Sequence, residues 1–176
     1  MSIAREARLM LRAHRFGLLC TLSNKFAGHP FGSITPYMVD HDGSLLALIS
    51  VLAEHTRNIG NAQRVSLITH DQLDHDIQAQ GRVTVMGDAR LEPDLEYAGL
   101  RYLRYFPEAE NYLALQDFSF FRMRLAAIRY IAGFGKIHWI NIENYTVACA
   151  EQFARREASL LEELNAKCQT TVRRLL

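Results

Sequence analysis

The sequence predicts a mainly β, α+β fold, a small antiparallel β-barrel with accessory helices. Three observations carry this. Six or more short apolar or alternating segments are separated by tight-turn signals, helical periodicity is confined to the two ends and two connections, and the βαβ order of a doubly wound sheet is absent. At 176 residues, 49% apolar and 22% charged, the chain suits one domain with a sizeable core and is not composed like a disordered one.

The elements follow in order. Ile3, Ala7, Met10, Leu11 and His14 recur at helical spacing, with Arg5, Glu6, Arg8 and Arg12 on the other faces. That is an amphipathic helix of about three turns, ended by Gly17. GLLCTLS has no helical period and reads as a buried strand, closed by the turn-rich SNKFAGHP. PFGSITPYMVD is a second strand in which Pro36 marks an edge or a bulge. Asp-Gly in HDGS suits a hairpin turn, which makes SLLALIS the antiparallel partner of that strand. A short helix then leads to RVSLITH. After the polar loop DQLDHDIQAQ, GRVTVMGDARLE restores period two at Val83 and Val85, with Gly87 signalling a bulge.

Pro93 is well placed to start a helix, DLEYAGLRYLRYF, whose inner face is supplied by Leu95, Leu100, Tyr102 and Leu103. FPEAENYLALQD reads as an irregular connection. DFSFFRMRLAAIRYIAGFGKIHWINIENY carries two strands interrupted at Gly133 and Gly135. From Ala150 the composition shifts, and Leu160, Leu161, Leu164, Cys168, Val172 and Leu175 form the stripe of a C-terminal amphipathic helix. The expected division is a barrel over residues 1–149 and this helix over 150–176.

Net charge is +1, so no global field points to nucleic acid or an acidic membrane, and an anionic ligand needs a local site. No apolar run reaches the ~18 residues of a membrane span. The charged N-terminus lacks a signal-peptide core. Cys20, Cys149 and Cys168 are odd in number and far apart, which fits reduced thiols in a cytoplasm. Cys20 reads as an inert core thiol. His70, Asp71, Asp74, His75 and Asp76 mix metal-capable groups, but their loop setting favours a solvated turn over a metal site. His14 offers an imidazole that would suit haem iron, against the plainer role of a packing residue. No Ser-His-Asp signature, Gly-rich phosphate loop or nucleophile elbow is present.

The stretch that gathers most polar chemistry is Ser50 to His70. His55, Thr56, Arg57 and Asn58 crowd the first turn of the short helix, where free N–H groups and the dipole favour a phosphate or carboxylate. The plainer reading is a crossover helix with polar residues facing water. Phe134, Tyr130 and Trp139 surround the GFGK turn, where a flat ring system would stack and Lys136 or Arg129 would meet its acidic groups. A barrel core with a dimer interface would need the same aromatics.

PFGSITPY, DGSLLALISVLAEHTRNI, RVSLITH, GRVTVMGDARL and DFSFFRMRLAAIRYIAGFGKIHWI resemble, in this order, the FMN-binding split-barrel family typified by pyridoxamine 5′-phosphate oxidase. The closer resemblance is to its haem-iron-utilisation branch. It covers most of Phe16 to Ile142 and implies a six-stranded antiparallel split barrel, dimeric, with the ligand in a groove between subunits. It also implies FMN, with haem as the alternative cofactor. The family's flavin-phosphate arginine and lysine on the second strand fall on Gly32 and Tyr37 here, and a family glutamine falls on Arg82. Ser33, Ser50, Leu52, His55, Thr56, Arg57 and Asn58 are the remaining candidates at the phosphate end, and Phe134, Lys136 and Trp139 at the ring end. Haem-branch members often continue into a helical module with a His-Met-Asn-x-Asp-His opening. The nearest match, Glu163 to Cys168, has neither histidine, so residues 150–176 read as a truncated form of that module. Three functions stand open: an FMN-binding oxidoreductase-like homodimer with no named catalytic side chain, a haem-binding or haem-degrading protein without flavin, and a non-catalytic dimeric binding module.

Overall fold

The computed structural model describes residues 2–71, 76, 78–133, 135–146 and 150–175, with side chains through Cys168. Asp74, His75, Phe134 and Cys149 lie outside the described residues, as do the side chains of Val172 and Leu175.

Helix α1 (Ile3–Ala13) is capped by the Ser2 hydroxyl, which accepts from the Arg5 N–H, and buries Ala4, Ala7 and Leu11. Strands β1 (Phe16–Leu22), β2 (Pro30–Pro36), β3 (Met38–Val39) and β4 (Leu45–Ser50) precede α2 (Glu54–Asn61). Strands β5 (Arg64–His70) and β6 (Gly81–Leu91) follow, then α3 (Leu95–Tyr105), a 3₁₀ turn (Pro107–Ala109) and α4 (Glu110–Leu113). The chain closes with β7 (Phe118–Ala132), β8 (Ile137–Ile140), α5 (Ile142–Tyr145) and α6 (Ala150–Leu175).

One curled antiparallel sheet results, in the order β2-β1-β5-β6-β7-β4-β3 with β8 on β7. It is a split barrel. Eight strands replace the expected six for two local reasons. Pro36 has no N–H, and the N–H of Tyr37 turns to the Arg15 carbonyl (3.0 Å), which cuts β3 away from β2. Gly133 and Gly135 take positive φ (101° and 82°), which ends β7 and lets β8 fold back on it. The Asp-Gly hairpin therefore joins β4 only to β3, while all of β2 pairs with β1. The bulge at Gly87 is present as a register shift between β6 and β7.

Inside the curl, Leu19, Tyr37, Ile49, Leu67, Val83, Val85 and Ile128 pack together, with Ala7 and Leu11 of α1 against them. A second cluster sits outside β4 and β7, where Ala98 and Tyr102 of α3 meet Leu46, Leu48 and Phe120. Leu95 and Leu100 were expected on that inner face, yet both are exposed. The helix instead buries the face of Ala98, Arg101 and Tyr102, because Arg101 reaches the buried carboxylate of Asp40. The segment expected to be irregular forms the 3₁₀ turn and α4, opened by Pro107. Cys20 is half-buried on the outer face of β1, not in the core, because Gly17, Leu19 and Thr21 take the inner positions.

A charged network fastens the helices to this frame. Asp40, 3% exposed, accepts from Arg122 Nη1 (2.7 Å), Arg101 Nε (3.3 Å), the Tyr97 hydroxyl (2.7 Å) and the N–H of His41 (2.8 Å). Arg122 also bonds Glu92, and Arg101 and Arg104 both bond Glu157 of α6. Phe153 of α6 packs edge-on against His41, with ring centroids 5.2 Å apart.

Candidate functional site

The eleven sequence candidates separate into two groups at opposite ends of the sheet. Arg64 pairs with Asp88 at the α2 end, whereas His70 pairs with Arg82 at the other end. Ser33, Ser50, Leu52, His55, Thr56, Arg57 and Asn58 gather around the start of α2. Arg82 lies with Lys136 and Trp139 beside β8, and Phe134 is outside the described residues.

At the α2 end the polar groups are spent on the protein itself. Ser50 Oγ donates to Asp117 (2.8 Å) and accepts from the N–H of Leu52 (3.1 Å), while the Leu52 side chain is exposed. The Thr56 hydroxyl donates to the Ser50 carbonyl (2.7 Å). Asn58 is fully buried, donating to Thr21 Oγ1 (3.0 Å) and accepting from the N–H of Asn24 (2.9 Å). Arg57 points outward, 3.9 Å from Glu54. His55 Nδ1 meets the Ser33 hydroxyl at 3.0 Å, and burial lowers the imidazole's pKa, so it is neutral at neutral pH. Its Nε2 is buried without a partner among the described residues.

This arrangement does not fit a flavin phosphate. Gly32 carries no cation, and Tyr37 is buried with its hydroxyl bonded to the Leu11 carbonyl at 2.9 Å. Asp117 and Glu54 place negative charge beside the turn, and the first-turn histidine is uncharged. A phosphate would have to displace the bonds that Ser50, Thr56 and Asn58 already make.

The β8 end is different in kind. Trp139 is 62% exposed on the outer face of the sheet, with the Arg129 guanidinium 5.0 Å from its ring centroid. Arg82, Ile131 and Ile137 form one cross-strand row, and Thr84, Arg129 and Trp139 form the next. Alternation puts both rows on the same outward face, and Lys136 is exposed in the turn before β8. His138, which sequence reasoning missed, lines a groove of about 470 Å³ with Trp139 and the start of α1. Its place in an exposed edge strand next to the lone tryptophan was the available signal. An indole face with the Arg129 guanidinium over it, Arg82 in the neighbouring row and Lys136 in the turn before β8 fits a planar macrocycle carrying acidic groups, whereas His138 belongs to the opposite face of β8.

His14 stands at the end of α1, bonded to Asp71 at 3.3 Å, and His70 Nδ1 is bonded to the Asp71 carbonyl (2.7 Å). No cluster of three or more His, Cys, Asp or Glu able to hold a metal is found among the described residues. No helix among them is long and apolar enough to cross a membrane.

The CREG beta-barrel family matches residues 1–147, which take in the whole sheet and α1 to α5. The chain belongs to this family. Similar proteins include the chloroplastic non-canonical heme oxygenase HOZ of Arabidopsis thaliana, 35% identical over 136 residues, 76% of this chain and 41% of HOZ. The chain thus spans about two fifths of that curated relative's length. Among solved structures, a heme binding protein from Mycobacterium smegmatis is 30% identical with a TM-score of 0.74, covering 82% of this chain and 60% of that one. The heme storage protein HutZ from Vibrio cholerae is 26% identical with a TM-score of 0.57, covering 69% and 87%.

Proposed function

We propose that this CREG-family protein binds haem on the outer face of β6, β7 and β8. The observation that carries the reading is the exposed indole of Trp139 with the Arg129 guanidinium 5.0 Å from its ring centroid and Arg82 in the neighbouring cross-strand row. The heme-named relatives support it, and the committed donors at the start of α2 favour haem over FMN. Trp139 offers a ring face and Arg129, Arg82 and Lys136 are the cations available to the propionates, while His138 lines the groove on the other face of β8. Bound haem supplies redox and Lewis-acid chemistry at its iron. The protein's share is to orient the ring and to limit its contact with water.

A homodimer belongs to the same proposal. Leu18 and Ile34 stand opposite each other on β1 and β2, 44% and 72% exposed, with Phe16 and Pro36 one step along. The same cross-strand row runs on through Ile68, Thr84 and Arg129 to Trp139, so a second copy covering its apolar end would border the haem face.

The chain has a single tryptophan, which makes the test direct. Haem titration should shift the Soret band and quench the indole fluorescence at the same stoichiometry, with FMN doing neither. Arg82→Ala or Arg129→Ala should weaken binding about tenfold, the effect of losing roughly 1.4 kcal/mol. His14→Ala should leave the spectrum unchanged. A Soret shift without quenching would put haem elsewhere, and no shift at all would sink the proposal. Bleaching of the Soret band on adding a reductant in air would extend it from binding to degradation.

A further inference from the structure

Strand β2 pairs only with β1, and β4 only with β3 and β7, so the two lie against each other without a hydrogen-bonded ladder. A cavity of about 360 Å³ opens in this seam, roofed by α3, the 3₁₀ turn and α4. Two stacked aromatic pairs contribute to its wall: Tyr102 with Phe106 (centroids 4.6 Å apart) and Tyr112 with Phe118 (5.1 Å). The volume and lining are those of a small-molecule site.

Thr35 and His55 both line the cavity, and each carries a polar atom, Thr35 Oγ1 and His55 Nε2, that is shielded from water and has no partner among the described residues. Thr35 is 1% exposed. An unmatched buried donor or acceptor is disfavoured, and native proteins contain few. Two of them bordering one apolar cavity is the pattern of a site whose ligand supplies the missing bonds. Thr35 also borders an internal void of about 30 Å³, but its other walls are apolar apart from Tyr37, whose hydroxyl is already given to Leu11. A water there would find too few partners.

The donor pattern narrows the ligand. The bond between His55 Nδ1 and the Ser33 hydroxyl (3.0 Å) is open to either tautomer: Nε2 is an acceptor when Nδ1 carries the proton and a donor when it does not, and the Thr35 hydroxyl can serve in either sense. A ligand hydroxyl, donor and acceptor in one atom, satisfies both groups in either tautomer. A carbonyl, which only accepts, does so only when Nε2 carries the proton. Charge narrows it further, since among the described residues no arginine or lysine lines the cavity and Glu108 stands in its wall. An anion would be disfavoured there.

We propose that the β2–β4 seam binds a small, neutral aromatic alcohol, held between the aromatic pairs and hydrogen-bonded through its hydroxyl to Thr35 and His55. Entry displaces the side chains that shield the two polar atoms, and Tyr112, 48% exposed, is the rim residue. The site lies apart from the haem face on β8 and does not depend on it.

The probes are 2-naphthol, naphthalene and 2-naphthoate, titrated calorimetrically into the intact protein. The expected result is one-to-one binding of 2-naphthol, about tenfold tighter than either of the others. Thr35→Val and His55→Leu should each bring 2-naphthol down to the affinity of naphthalene without weakening naphthalene. Thr35→Val removes an unmatched hydroxyl at near-constant shape, so it should fold with an unchanged or higher melting temperature. Trp139→Ala should leave 2-naphthol binding intact while lowering haem binding, which separates this site from the haem proposal. Equal affinity for 2-naphthol and naphthalene, indifference to both substitutions in folded protein, or no saturable binding would each overturn the assignment.

Discussion

Replacing Asp40 tests how the barrel holds its helices. The carboxylate is 3% exposed and receives four donors, two of them guanidinium groups. Asp40→Ala would leave Arg101 and Arg122 buried beside an apolar methyl. Breaking a buried ion pair from one side costs roughly 3–5 kcal/mol. Each arginine keeps another carboxylate, Glu157 for Arg101 and Glu92 for Arg122, so the lower end, about 3 kcal/mol, is expected. For a chain of this size that lowers the melting temperature by about 6–12 °C. The pH dependence gives an independent check. Burial pushes the Asp40 pKa up, but the bonds from Arg122, Tyr97 and the His41 N–H outweigh it and hold the group below its usual value. A depressed folded pKa adds stability that is present above the unfolded value near 3.9 and is lost as pH falls through the folded one. The gap between wild type and Asp40→Asn should therefore be constant from about pH 7 to 5 and shrink below about pH 4. Urea unfolding followed by circular dichroism measures both. A loss under about 1 kcal/mol, or a gap as wide at about pH 3 as at pH 7, would refute the reasoning.

Four further outcomes follow from the same geometry. Gly87→Ala would place a Cβ 2.0 Å from the Arg124 carbonyl oxygen, so the bulge must break, at about 3 kcal/mol in unfolding experiments; Gly60→Ala meets nothing within 4 Å inside α2 and should stabilise by about 0.5–1 kcal/mol. Asn58→Ala strands the Asn24 N–H and takes one of two partners from Thr21 Oγ1, which keeps its bond to the Phe31 carbonyl, and should cost about 2 kcal/mol, with no dependence on added phosphate or FMN if the residue is a fastener. Glu157→Gln removes the carboxylate shared by Arg101 and Arg104, so limited proteolysis within residues 150–168 should quicken about tenfold while the barrel stays folded.

Most strands were legible because they bury one face, while β4 buries both, between the core and α3. Val83 and Val85 alternate as the sequence shows, and the Asp-Gly turn sits where expected. The interruption at Gly133 and Gly135 was legible too, whereas the break after Pro36 was not, since Pro36 alone does not reveal that Tyr37 will bond to Arg15. Nor was the charged network, whose members come from β4's approach, α3, β7 and α6. Each charge looks like a solvated residue until the fold brings its partner near. The available signal was Arg122 inside the apolar run FFRM, a charge where alternation demanded partial burial. The same limit applied to α3, where leucines were taken as the inner face while an arginine held it.

The first turn of α2 shows why residue type and spacing leave function undecided. Ser50, Thr56, Asn58 and a nearby histidine are the right kinds of donor for an anion, and a helix N-terminus is the right place. Whether they serve a ligand depends on what else competes for them. Here Asp117, the Ser50 carbonyl, Thr21 and Asn24 win, because those partners are fixed by the fold and a phosphate would have to replace each bond it breaks. Once those bonds are made, the helix start acts as a clamp tying β4 to β1. The groups left unmatched are then the informative ones. Thr35 and His55 line a cavity in the seam that holds Glu108 and no arginine or lysine among the described residues, and Arg129 lies over an open indole at the far end of the sheet, with Arg82 in the neighbouring row. A ligand with acidic groups has reason to go only to the second. If both proposals hold, that difference in charge would keep two unlike ligands from competing for one barrel.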